Sequence, residues 1–215
     1  MGKEIQYDLL LKGGTVVLPE QIIKVDIGIK DEKIETIGDL SSCSTDCCAD
    51  NVIDCKGLHV LPGVIDSQVH FREPGLENKE NLESGMMAAA AGGITAIFEM
   101  PNTNPLTITP ETIIDKLKRA DRAPWTDYAF YLGGTGRTGP NLGEWEKGKG
   151  ICGIKIFVGA STGDLVTATD EEIESVISNG ERVVAVHAED QFMMDANKKS
   201  ILGDSDDVGL HCKWR

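Results

Sequence analysis

The chain has 215 residues, 40% of them hydrophobic, enough to bury a core in one large domain or two small ones. Its 35 acidic side chains outnumber 21 basic ones, for a net charge of −14; this argues against nucleic acid or an anionic membrane as partner, but allows a small anionic substrate if the site supplies its own cation. The longest apolar stretch, residues 86–98, is shorter than the ~18 residues that suggest a membrane span, and Lys3 and Glu4 precede too short an apolar run for a signal peptide, so a cytoplasmic protein is expected.

From the N-terminus, residues 7–11 and 15–18 read as strands around a Lys12-Gly13-Gly14 turn. Residues 24–30 set Val25, Ile27 and Ile29 against charged or small partners, the period of a strand, and residues 33–37 and 51–55 continue the pattern. Residues 1–60 are therefore expected to form the N-terminal part of a small antiparallel β-sandwich module. From residue 61 the pattern turns to strand-then-helix units. Strands are predicted at 60–69, broken by Pro62-Gly63, and at 94–100, 128–132, 154–158 and 183–187. Helices are predicted at 81–91, stopped by Gly92-Gly93; from Thr109-Pro110-Glu111 to about residue 121; weakly near Glu144; at 170–178 behind Thr169; and from about residue 190. Five βα units at roughly 30-residue spacing predict an α/β fold, a partial TIM-like (β/α)8 barrel over residues 61–215. A closed barrel needs ~250 residues. The expectation is thus a barrel that continues beyond Arg215, with this stretch alone folding poorly and inactive.

Cys43, Cys47, Cys48 and Cys55 cluster in a polar loop and the strand after it. A metal knuckle or a disulfide pair is conceivable, but the spacing C-x3-C-C-x6-C matches no zinc pattern, and reduced loop and core thiols are the expectation.

In barrels of this kind, functional groups collect at the C-terminal ends of strands. Asp66, Gln68 and His70 end the first barrel strand at spacing two, so they can share a face. Asn102 follows the second strand, Lys155 lies in the fourth and His187 ends the fifth. In Gly153-Ile154-Lys155-Ile156-Phe157 the isoleucines can face the helix layer, which turns Lys155 into the barrel, where an unpaired ammonium is costly. Either an acidic neighbour pairs with it, or CO2 carboxylates its amine and makes it an anion able to bridge two metal ions. His187 at the end of an apolar strand is either a hydrogen-bonded core residue or a ligand. His59 precedes the barrel and is read as structural; His211 lies in a loop with no visible partner.

Four stretches carry a resemblance. Leu61-Pro62-Gly63-Val64-Ile65-Asp66-Ser67-Gln68-Val69-His70-Phe71-Arg72-Glu73-Pro74-Gly75 resembles the opening strand of the cyclic amidohydrolases, which include dihydroorotases, allantoinases and dihydropyrimidinases. Glu99-Met100-Pro101-Asn102-Thr103 is similar to the second-strand motif of the dihydroorotases. Gly153-Ile154-Lys155-Ile156-Phe157 resembles the strand with the bridging lysine, and Val186-His187-Ala188-Glu189 the next ligand strand. All four stand in register over nearly the whole chain. The resemblance implies two Zn2+ ions held by Gln68, His70 and His187 and bridged by a carboxylated Lys155, with a water activated for attack on a ring amide. It gives Arg72 and Asn102 the role of holding a substrate carboxylate, a task suited to a guanidinium fork and an amide. Allantoinases resemble this sequence through the Glu-Pro-Gly but typically lack that pair. One departure stands out: the family has histidine where this chain has Gln68, a weaker zinc ligand.

The resemblance therefore implies a metal-dependent cyclic amide hydrolase, a dihydroorotase interconverting dihydroorotate and N-carbamoyl-aspartate in pyrimidine biosynthesis. Its sixth-strand histidine, its eighth-strand aspartate that serves as general base, and the strands completing the small module are all expected beyond residue 215, so no catalytic residue is assigned within the chain. Two rivals remain: a non-catalytic scaffold that assembles with aspartate transcarbamoylase, kept open by Gln68, and an allantoinase or hydantoinase. The expected partner is a small-molecule substrate, with a homo-oligomer left open.

Overall fold

The computed structural model describes residues 6–43, 48–159, 165–203, 205 and 207–215. The chain divides into two compact units, Met1–Gly63 and Val64–Arg215.

The first unit holds seven short strands: β1 (Tyr7–Lys12), β2 (Thr15–Val17), β3 (Ile22–Lys24), β4 (Asp26–Lys30), β5 (Lys33–Gly38), β6 (Ala49–Asp54) and β7 (His59–Val60). They form a four-stranded sheet in the order β5-β4-β1-β6 and a three-stranded sheet in the order β3-β2-β7. Most pairings are antiparallel, but β1 with β6 and β2 with β7 run parallel. The stretch expected as one strand over residues 24–30 is two, separated at Val25. The physical reason lies in Asp26, buried with its carboxylate accepting from the N–H of Gly13 at 2.8 Å and of Leu40 at 3.1 Å. Tyr7, Leu10 and Ala49 form the core here. Cys43 and Cys55 are free thiols, and Cys48 and Cys55 are buried; Cys47 lies outside the described residues.

The second unit is a curled sheet of five parallel strands, β8 (Val64–Val69), β9 (Ile94–Glu99), β10 (Asp127–Gly133), β11 (Ile151–Phe157) and β12 (Val184–His187), in the order β12-β11-β10-β9-β8. Between them run α1 (Leu82–Ala91), α2 (Pro110–Ala120), α3 (Leu142–Trp145) and α4 (Asp170–Ile177); α5 (Gln191–Asn197) and α6 (His211–Trp214) follow β12. The helix starts follow from local chemistry. Asn81 caps α1 by accepting from the Ser84 N–H, and Thr109 and Thr169 close reciprocal capping boxes with Thr112 and Glu172. Val69, Ile97, Phe130, Leu132, Ile154 and Ile156 from the strands pack against Leu82, Met86, Ile113 and Val176 from the helices. This apolar layer fixes one face of the sheet; the other face and the strand ends are left for polar groups. No helix among the described residues is long and apolar enough to cross a membrane.

Candidate active site at the strand ends

The end of β8 departs from strict alternation. Its pairing with β9 slips between Asp66 and Val69, and the Gln68 N–H is taken by the Asp66 carboxylate at 3.0 Å rather than by a neighbouring strand. Gln68 is exposed and Asp66 half-buried, so the shared face expected for Asp66, Gln68 and His70 is interrupted by a bulge, a feature that recurs beside functional sites. Past the bulge, Val69 and Phe71 enter the core and hold His70 half-buried between them. The Met100 N–H donates to the Val69 carbonyl at 2.9 Å and ties the tips of β8 and β9 together.

That tie brings His70 to Asn102, with His70 Nδ1 2.8 Å from Asn102 Oδ1. Burial lowers the His70 pKa; the Asn102 bond opposes this, while the positive charges of Arg72, Lys155 and Lys116 lower it further. The ring is therefore neutral near pH 7, donates its Nδ1–H to the amide oxygen, and keeps an open lone pair on Nε2. Asn102, with its oxygen engaged, still has two N–H groups to offer. Arg72 is half-buried with φ +67°, a left-handed conformation uncommon for a side-chain-bearing residue.

Lys155 occupies the sheet face opposite its neighbours Ile154 and Ile156, which lie in the helix-facing core. It is only 3% exposed. Among the described residues no carboxylate pairs with it; its amine lies 4.8 Å from the centroid of the Phe157 ring, and burial lowers its pKa. Among the described residues a structural ion pair is thus absent there, and burial works against the charged form of the amine. Phe157 stands in register with His187, their rings 5.9 Å apart. His187 Nε2 in turn lies 2.6 Å from Glu189 Oε2, and Arg215 grips the same carboxylate with two bonds of 2.7 Å. Arg215 first, then His187, holds the Glu189 pKa down at about 2.

The structure brings Asn102 against His70 and puts Arg72 and Lys155 within electrostatic range of that ring, and links His187 to Lys155 through Phe157. Gln68 is exposed, at the bulge. Among the described residues no three His, Cys, Asp or Glu side chains gather to hold a metal. His59 pairs within the first unit, against Thr15, and His211 stacks edge-on against Trp214.

Two features escaped the sequence reading. Glu189 bonds His187, a relation signalled by their spacing of two residues. Lys116 of α2 and Glu99 of β9 form a fully buried ion pair at 2.6 Å. Glu99 in an otherwise apolar strand, and Lys116 on the same helix face as Ile113 and Ala120, were the available signals.

Comparison with known proteins fits this geometry. A family model described as dihydro-orotase-like matches residues 56–120. An allantoinase from Bacillus velezensis is 34% identical over 85% of this chain and 40% of its own length. A dihydroorotase from Thermococcus kodakarensis is 38% identical over 84% of this chain and 41% of its own. Among solved structures, the L-hydantoinase from Arthrobacter aurescens superposes with a TM-score of 0.83 at 32% identity, covering 93% of this chain and 44% of that one. The chain spans about two fifths of the length of the relatives it matches.

Proposed function

Since this chain belongs to the dihydroorotase-like cyclic amidohydrolases, we propose that the whole protein interconverts dihydroorotate and N-carbamoyl-aspartate. One observation carries this reading: Asn102 and Arg72 flank His70 at one strand end, and among the described residues both have donors to spare. The ring carboxylate of dihydroorotate needs such donors. The Arg72 guanidinium offers a fork and the Asn102 amide its N–H groups, its oxygen being taken up by His70. A substrate lacking that carboxylate leaves the pair without a task.

A divalent metal suits the nitrogen donors on chemical grounds. His70 is neutral with Nε2 open, and Lys155 is a buried amine with no anion beside it among the described residues, which CO2 would turn into a carbamate. His187 would join them once freed from Glu189, with Gln68 as a weak neutral oxygen donor. Zinc, when bound, supplies Lewis acidity that polarises the ring carbonyl and lowers the pKa of water. Arg72 and Asn102 meanwhile set the ring's orientation, so that the amide rather than the carboxylate faces the metal ligands.

Allantoin and hydantoins are the second reading, favoured by the allantoinases and hydantoinases among the relatives. The test is a substrate panel on the full-length zinc-loaded protein, with dihydroorotate, carbamoyl aspartate, allantoin and hydantoin measured side by side. Dihydroorotate and carbamoyl aspartate should turn over fastest. Faster opening of allantoin or hydantoin would overturn the proposal in favour of the second reading. Failure with every substrate, together with capture of aspartate transcarbamoylase, would make the protein a scaffold.

A further inference from the structure

Resting on the reading that Asn102 and His70 work in the site, we propose that Lys116 and Glu99 are positioning residues for it. Their buried ion pair clamps the Met100–Pro101 turn at the height where Asn102 meets His70.

The Lys116 ammonium is wholly buried. It donates to Glu99 Oε2 at 2.6 Å and to the main-chain carbonyl of Met100 at 3.2 Å. The N–H of the same Met100 is given to Val69 on β8. Met100 is thus held from both sides, by β8 through its N–H and by α2 through its carbonyl. Two residues on stands Asn102, with His70 against its amide oxygen. The downstream side of the turn is anchored independently. The Pro101 carbonyl accepts from the N–H groups of Thr103 and Thr107, and the Thr107 carbonyl from the N–H of Gly133 on β10. What Lys116 adds is the upstream constraint.

Stability does not account for the pair. Replacing a buried ion pair with apolar side chains of similar volume is often neutral or stabilising. Among the described residues Glu99 Oε1 makes no close hydrogen bond, so the pair is not fully satisfied. The surrounding α2 positions Ile113 and Ala120 are apolar and buried, and an apolar residue at 116 would complete the stripe. An apolar pair, however, could not bond the Met100 carbonyl. What would be lost with the charges is the grip on the main chain, at Met100 beside Asn102 and at Phe71 beside His70.

The test compares the full-length parent with the matched apolar pair Glu99→Leu/Lys116→Met, with Asn102→Ala, and with their combination. The apolar pair should unfold cooperatively at or above the parent's melting temperature. Its KM for dihydroorotate should nevertheless rise about tenfold with kcat much less affected, the size of one misplaced hydrogen bond. In the Asn102→Ala background the apolar pair should add less than about twofold, because the group it positions is already gone. With 15N-labelled histidine, the hydrogen-bonded Nδ1–H signal of His70 should be present in the parent and lost in the apolar pair. Glu99→Gln keeps the volume and one acceptor for Lys116, so its KM should move by less than about twofold. The proposal is overturned if the folded apolar pair keeps the parent's KM and the His70 signal, if its loss multiplies with that of Asn102→Ala, or if Glu99→Gln is as damaging as the apolar pair. The His70 signal does not depend on turnover. A parent that opens no dihydroorotate but shows the expected spectra would sink the substrate assignment and leave the clamp standing.

Discussion

Gly75 is the point at which the loop bearing Arg72 touches the loop bearing Asn102, and Gly75→Ala should separate them. Gly75 has φ +89°, and a methyl there would run into the Asn104 carbonyl oxygen and lie 2.7 Å from the Asn104 Cβ. The obstacle is main chain, so no rotamer change can relieve it. The left-handed conformation alone costs a residue with a Cβ about 1–2 kcal/mol. Moving Asn104 away also breaks the bond from its N–H to the Pro74 carbonyl, now 2.8 Å, worth about 1 kcal/mol. The sum is about 3 kcal/mol, with nothing gained in return, because Gly75 is exposed and a methyl there buries little. Urea unfolding of the full-length protein would measure the loss, and KM for dihydroorotate should rise with it as Arg72 and Asn102 move apart. Gly75→Asn separates the two causes. Asparagine tolerates a left-handed backbone, so it should be nearly as damaging as alanine if collision dominates and much milder if conformation does. An alanine variant with the parent's urea midpoint and KM would refute the reasoning.

Arg72→Ala and Arg72→Gly should both lower kcat/KM for dihydroorotate by about 30-fold or more, for a lost charge-assisted carboxylate contact of ~2–3 kcal/mol, without removing zinc. Because Arg72 has φ +67°, the glycine variant should be the more stable of the two by up to ~1 kcal/mol; equal kinetics in parent and variants would remove the argument for carboxylate recognition. Burial pushes the Cys152 thiol up to about 12, whereas Cys212 is exposed. At pH 8 iodoacetamide should therefore label Cys212 and spare Cys152, and peptide mass spectrometry showing the reverse order would contradict the packing of β11. Glu189 has a pKa depressed from 4.5 to about 2. Its charged form is the one bound, so its contribution is complete above pH 4.5 and is lost as pH falls from there toward 2. Amide exchange over residues 208–215 should accelerate across that window, and Glu189→Gln should already show the fast exchange at pH 7.

The parts of this fold that were readable from the sequence are those written in neighbouring residues. Thr109 with Thr112 and Thr169 with Glu172 are caps whose partners lie three residues apart, and both helices begin where the cap predicts. The alternation that turns Ile154 and Ile156 one way and Lys155 the other is equally local. The bulge at Asp66–Gln68 depends on how β8 registers against β9, some thirty residues away, so a strict period of two did not reveal it. Family resemblance singled out His70 and Asn102 separately. That they bond each other, and that Lys116 stands behind them, depends on contacts across 32 and 17 positions that no local pattern encodes.

The strand order β12-β11-β10-β9-β8 has a consequence for how the site comes into being. Each strand pairs only with the one made just before it and the one made just after. Every such pairing closes a loop of similar, modest length, and loop-closure cost grows only slowly with length. Contacts of this kind are the fast ones to form. The sheet can therefore grow by accretion as the chain leaves the ribosome, one unit at a time. On that route the His70–Asn102 contact is complete once β9 has joined β8, before Lys155 or His187 has been synthesised. The His70–Asn102 corner is then the template on which Lys155 and His187 are laid down. A defect at the tip of β8 should slow maturation of the whole centre, whereas one at His187 should leave the earlier corner intact.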